Sequence, residues 1–143
     1  MSVLIDSSIT IYEALQNIKD GKYVMPAFQR QYVWSMEQIE KLWDSILLDY
    51  PIATFLFWHV DDDNVTWDTY FCNFLSSVTF DSRKQADSVN YELSSIDVKL
   101  TDTAVLDGQQ RLTSLYLSLF GDAFIRQKHA RKKSGGGIVT KLL

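Results

Sequence analysis

The stretch Val105-Leu106-Asp107-Gly108-Gln109-Gln110-Arg111-Leu112-Thr113-Ser114-Leu115 constrains this chain more than any other. A short apolar run ends in Asp-Gly, and an apolar pattern of helical period starts directly after it, so a strand must hand over to a helix within two residues. Polar side chains are thereby concentrated at the amino end of a helix. There the first N–H groups have no intrahelical partner and the helix dipole is positive, which suits an anion, phosphate above all. Gly108 allows the tight turn and the close approach of a ligand to the backbone.

The 143 residues, 46% hydrophobic and 13% aromatic, suffice for one globular domain with a real core and are few for two. Low complexity is confined to Gly135-Gly136-Gly137. Cys72 stands alone and no charged-then-apolar leader opens the sequence, so a soluble protein of the reducing cytoplasm is expected. No apolar run approaches the roughly 20 residues that cross a bilayer. The net charge of −4 argues against general attraction to nucleic acid, but it is unevenly spread. From Gly121 onward six Lys or Arg face one Asp, which leaves −9 on the preceding part. The segment 126–143 is therefore read apart from a domain of residues 1–125, as a basic tail that either meets phosphate locally or is simply solvated. Its apolar end, Ile138 to Leu143, looks like a strand beginning and points to a truncated chain.

Thr10 and Glu13 have capping-box spacing, and Ile11, Ala14, Leu15 and Ile18 share one face, so a helix is expected from Ile11 to Lys19 with its stop at Gly21. A short strand at Tyr23 and Val24 leads into an irregular loop after Pro26. Ser35 and Gln38 form a second capping box, Trp34 and Ile39 have hydrophobic-staple spacing, and a helix follows from Met36 to Leu48. Pro51 ends it. Ala53 to Val60 is β-branched and aromatic, as in a central strand, and Asp61-Asp62-Asp63-Asn64 is a turn. Trp67, Tyr70, Phe71, Phe74 and Leu75 fall at helical spacing, predicting a third helix from Val65 to Ser76. Thr79 to Asn90 reads as loop and Tyr91 to Val98 as an edge strand. Thr103 to Leu106 is the strand before the turn, and Leu112, Leu115, Tyr116 and Leu119 form the apolar face of the next helix, which stops at Gly121.

Asp107, Gln109, Gln110 and Arg111 are the first candidate constellation. Arg offers a fork of donors that fits phosphate, Gln both donates and accepts, and Asp can hold a divalent ion or orient a water. Phosphoryl transfer needs little more than such positioning and charge neutralisation. The competing interpretation is a plain helix cap, with Asp107 bonding the first turn and the other side chains in water. The second constellation is Phe28-Gln29-Arg30-Gln31-Tyr32-Val33-Trp34, where aromatics able to stack on a base alternate with a cation and amides. It reads equally well as a loop that plugs the core with its aromatics. The Asp61 to Asp63 run lacks EF-hand spacing, His59 reads as a satisfied interior histidine, and Cys72 and His129 lack a partner motif. There is no Walker A pattern, GxGxxG or nucleophile elbow.

Together, Val24-Met25-Pro26-Ala27-Phe28-Gln29-Arg30-Gln31-Tyr32-Val33-Trp34, Tyr50-Pro51-Ile52-Ala53-Thr54-Phe55-Leu56-Phe57-Trp58 and Leu106-Asp107-Gly108-Gln109-Gln110-Arg111-Leu112-Thr113 resemble the DUF262 domain. This is the N-terminal domain of GmrSD-type modification-dependent (type IV) restriction enzymes and related phage-defence proteins. The resemblance implies an α/β (α+β) fold of the ParB/sulfiredoxin-like kind, a small mixed sheet flanked by helices. It further implies binding and hydrolysis of an NTP, GTP or ATP with Mg²⁺. On that basis Asp107, Gln109, Gln110 and Arg111 would be catalytic, with Asp107 the Mg²⁺ ligand. Gln29, Arg30, Gly108 and Thr113 would bind the nucleotide, while Phe28, Tyr32 and Trp34 would stack on a base or meet DNA. Sulfiredoxin chemistry is not implied, since no cysteine stands at the turn. The partners implied are nucleotide, possibly modified DNA, and a nuclease domain or partner protein outside this chain; no membrane is implied, and oligomerisation is left open.

Two functions are therefore expected to compete. In one, the chain is the NTP-hydrolysing domain of a DNA restriction system. In the other, the same cleft serves a non-catalytic module that binds DNA or docks a nuclease, with an affinity for DNA that falls steeply with salt.

Overall fold

The computed structural model describes residues 9–26, 31–59, 71–81, 83–86, 103–125 and 138–139. Helix α1 (Ile11–Lys19) begins where Glu13 N–H donates to Thr10 Oγ1 at 3.2 Å and Thr10 N–H donates to Glu13 Oε2 at 2.8 Å. Gly21, at φ +73°, turns the chain out of it into strand β1 (Tyr23–Pro26). Helix α2 (Met36–Leu47) starts from the Ser35/Gln38 capping box and ends one residue before the expected Leu48. Strand β2 (Leu56–His59) follows, then β3 (Phe71–Cys72) and β4 (Ser77–Phe80). Strand β5 (Thr103–Asp107) feeds helix α3 (Gln109–Phe120), and β6 (Asp122–Ile125) and β7 (Ile138–Val139) close the order.

A mixed sheet of order β2-β5-β1-β3 and a smaller one of order β4-β6-β7 make this an α/β fold, as expected. β1 and β5 run parallel, with Tyr23 opposite Thr103 and Val24 opposite Ala104. β2 and β3 are antiparallel to their neighbours. In the second sheet β4 and β6 are parallel and β7 is antiparallel to β6. Among the described residues no helix is long and apolar enough to cross a membrane.

α3 joins the two halves of the interior. Its Leu112 and Leu115 pack with Leu15, Met25, Cys72 and Val105, whereas Leu117 packs with Tyr32, Ile39, Val78, Phe80 and Ala123. Each fully buried leucine contributes about 1.5–3 kcal/mol. Being buried on two sides, α3 differs from the expected single stripe. Leu119 is exposed, and Thr113, Ser114 and Ser118 are buried. The Ser114 and Ser118 hydroxyls donate to the carbonyls of Gln110 and Ser114, both at 2.7 Å, which lets serines occupy the interior of a helix.

Four expectations are corrected. Within the Ala53–Val60 run only Leu56–His59 are strand, and among the described residues this strand lies at the edge of the sheet, not at its centre: Phe55 and Phe57 turn inward with Tyr23, while Leu56 and Trp58 are exposed. Aromatic content alone does not separate these cases, because alternation leaves one face of an edge strand free to be apolar. The third helix fails over 71–76, where Phe71 and Cys72 are strand and Phe74 reaches the core from a non-helical segment. Helical spacing there is coincidental, since strand and loop place Phe71 and Phe74 in different clusters. Its portion 65–70 lies outside the described residues. The loop expected from Thr79 is a strand to Phe80, after which Asp81 Oδ1 accepts from the N–H groups of Arg83 and Gln85 in a tight turn. The strand at 122–125 has no counterpart in the sequence pattern, the one near Ile138 does, and the turn at 61–64, the Tyr91–Val98 strand and the basic run at 128–133 fall outside the described residues. His59 is satisfied through Thr103 Oγ1 at 3.1 Å, but it is exposed rather than interior.

Candidate functional site at the start of helix α3

β5 delivers Asp107 to the end of the larger sheet, and Gly108 reverses the chain into α3 at φ +84°. A side chain at Gly108 would be excluded twice. The left-handed conformation disfavours it, and a Cβ would lie 2.2 Å from Phe55 Cδ1. One flank of the turn is thus filled by an aromatic ring from the segment before β2, not by ligand. A cleft of about 320 Å³ beside the turn is lined by Trp34, Leu106, Asp107, Gly108, Gln109, Gln110 and Arg111. The N-cap position of α3 is Gly108, which has no side chain to cap the first turn, and among the described residues no side chain bonds to that turn's N–H groups. The Asp107 side chain is 69% exposed.

The remaining polar residues are held by backbone. Gln109 Nε2 donates to Val105 O at 2.6 Å and the residue is buried. Gln110 accepts from Val33 N–H and donates to Gln31 O, each at 3.1 Å. Arg111 Nη1 and Nη2 donate to Ile52 O and Thr54 O at 2.5 and 2.8 Å, and its guanidinium lies 4.5 Å from the centroid of the Phe55 ring. Its carboxylate neighbour Asp107 is 4.0 Å away. Between the two carbonyls that converge on Arg111 sits Ala53, a non-glycine residue at φ +68°. Such a conformation costs about 1–2 kcal/mol, so the guanidinium offsets a local strain that it also makes possible.

Of the residues singled out in sequence, Asp107, Gly108, Gln109, Gln110, Arg111 and Trp34 come together at the cleft. Phe28, Gln29 and Arg30 lie outside the described residues. Tyr32 is fully enclosed, with its hydroxyl 2.8 Å from Ser114 Oγ, and so has no ring face to offer a base. Thr113 is likewise fully buried, and its Oγ1 has no hydrogen-bond partner among the described residues. Both are core residues, and neither lines the cleft. Ile52, Ala53, Thr54 and Phe55 were not legible as site residues, although they lie in one of the three resembling stretches. No group of three or more His, Cys, Asp or Glu that could hold a metal exists among the described residues, so Asp107 stands as a single carboxylate.

A family model described as the GmrSD restriction endonuclease, N-terminal domain, matches residues 11–141. The chain belongs to this family. The uncharacterized protein MJ0686 of Methanocaldococcus jannaschii is 29% identical over 114 residues, 80% of this chain and 17% of that protein. The GmrSD-type domain thus spans about a sixth of the length of the curated relative it matches.

Proposed function

We propose that this GmrSD-type domain binds and hydrolyses a nucleoside triphosphate in support of modification-dependent DNA restriction. The observation that carries the reading is the cleft around the uncapped start of α3, lined by the whole Asp107–Arg111 motif and Trp34. Backbone N–H groups of the first helical turn would take phosphate oxygens, and the fixed Arg111 guanidinium would add positive charge beside them. Trp34 is the described aromatic placed to stack on a base. An exposed carboxylate fits Mg²⁺ in the way that ion is usually held, by one or two carboxylates with phosphate oxygens completing its shell. Asp107 would supply that ligand. Gln109, oriented by its bond to Val105 O, would place the attacking water.

The test is calorimetric titration with GTP, ATP and CTP, with and without Mg²⁺, followed by phosphate release. Saturable heat and Mg²⁺-dependent turnover are expected. Asp107→Asn should keep the fold, because the side chain is largely exposed, and should lower turnover about 10²–10³-fold. Absence of nucleotide heat together with salt-sensitive DNA binding would instead establish the non-catalytic module.

A further inference from the structure

Gln110 belongs to the Gln-Gln pair that a phosphoryl-transfer reading would assign to water positioning, yet its side chain is committed elsewhere. A primary amide has one acceptor end and one donor end. Here Oε1 meets Val33 N–H and Nε2 meets Gln31 O, so the amide reads two backbone groups of an extended segment as a neighbouring strand would. The residue between them, Tyr32, is driven into the core and meets Ser114 Oγ, one helical turn beyond Gln110. Ser114 Oγ in turn donates to Gln110 O. Three successive residues, Gln31, Tyr32 and Val33, are thereby fixed to one edge of α3, and Trp34, which follows at once, lines the cleft.

We infer that Gln110 is a positioning residue that locks the Gln31–Trp34 segment against α3 as a wall of the cleft, and that it does not act on the reacting water. The effect on catalysis rests on the nucleotide reading; the lock itself does not. Gln110 is only half-buried, so Gln110→Met keeps the volume and removes both bonds without opening the core.

The experiment is amide exchange by NMR on the wild-type chain and Gln110→Met, with nucleotide titration of both. The Val33 amide should exchange roughly three- to tenfold faster in the variant, while the Leu115 amide, in the middle of α3, keeps its rate. The loss on nucleotide should fall mainly on Kd, by a similar factor, and little on kcat. Unchanged exchange at Val33 would overturn the inference, as would a hundredfold loss of kcat at constant Kd, which is the signature of a residue that handles the water. If the wild type takes up no nucleotide while Val33 responds, the lock stands and the nucleotide reading falls.

Discussion

At the scale of single residues, Arg111 lines the cleft and also ties together the backbone beside it. A phosphate-directed arginine is expected to be removable without loss of structure, but here the guanidinium holds two carbonyls around the strained Ala53 and lies over Phe55, whose ring fills the space beside Gly108. Arg111→Ala should therefore cost roughly 2–4 kcal/mol of stability, from two charged hydrogen bonds and a cation–π contact. Arg111→Lys should recover little of this, because a point charge on a flexible stem cannot span both carbonyls. Thermal melts of the two variants check it. A melting temperature for Arg111→Lys equal to wild type would show that the carbonyl pair does not need the planar fork. Loss of turnover in Arg111→Ala consequently says little by itself about catalysis, and Asp107→Asn is the cleaner variant. The turn from β5 to α3 that borders the cleft was legible from Asp-Gly followed by a helical pattern. What its side chains bond was not, since Gln110 and Arg111 reach partners 57 to 79 residues away.

Elements whose ends are decided locally were the ones the sequence specified. Thr10 with Glu13 and Ser35 with Gln38 are three residues apart, and both capping boxes form as their spacing predicts. Strand roles depend on neighbours brought from elsewhere, so β2, at the edge among the described residues, was expected at the centre, and β3 hid inside a helical pattern that Phe71 and Phe74 satisfied by coincidence. The first box also has a pH signature. Hydrogen bonds from the Thr10 backbone and side chain hold the Glu13 carboxyl below the ordinary 4.5. A carboxyl depressed in the folded state contributes stability that is present above its unfolded pKa and is lost as pH falls through the folded one. The amino end of α1 should thus fray only below about pH 4.5, seen as faster exchange of the Thr10 amide. Thr10→Ala should return the Glu13 carboxyl to its ordinary titration, measured by side-chain NMR; an unaltered titration would mean that Thr10 is not what depresses it.

For the molecule as a whole, α3 contributes side chains to both cores. Leu115 belongs to the core of the larger sheet and Leu117, two residues on, to that of the smaller. Cys72 reports on the first of these. It is 1% exposed in β3, and burial pushes its thiol up to about 11, so at pH 8 it is neutral as well as covered and iodoacetamide reaches it only on opening. Leu117→Ala removes a fully buried side chain from the other core, at a cost of about 2–5 kcal/mol. If a continuous α3 transmits that loss, Cys72 should be alkylated roughly 30- to 10³-fold faster or more, since each 1.4 kcal/mol is a factor of ten in the open population. Were the two sheets to unfold separately, the smaller would loosen and labelling of Cys72 would stay at its wild-type rate. The shared helix favours the first outcome. It also ties the cleft to both cores, because Val105 and Leu112 on either side of the turn from β5 to α3 belong to one, and Tyr32, bonded to Ser114 of α3, belongs to the other.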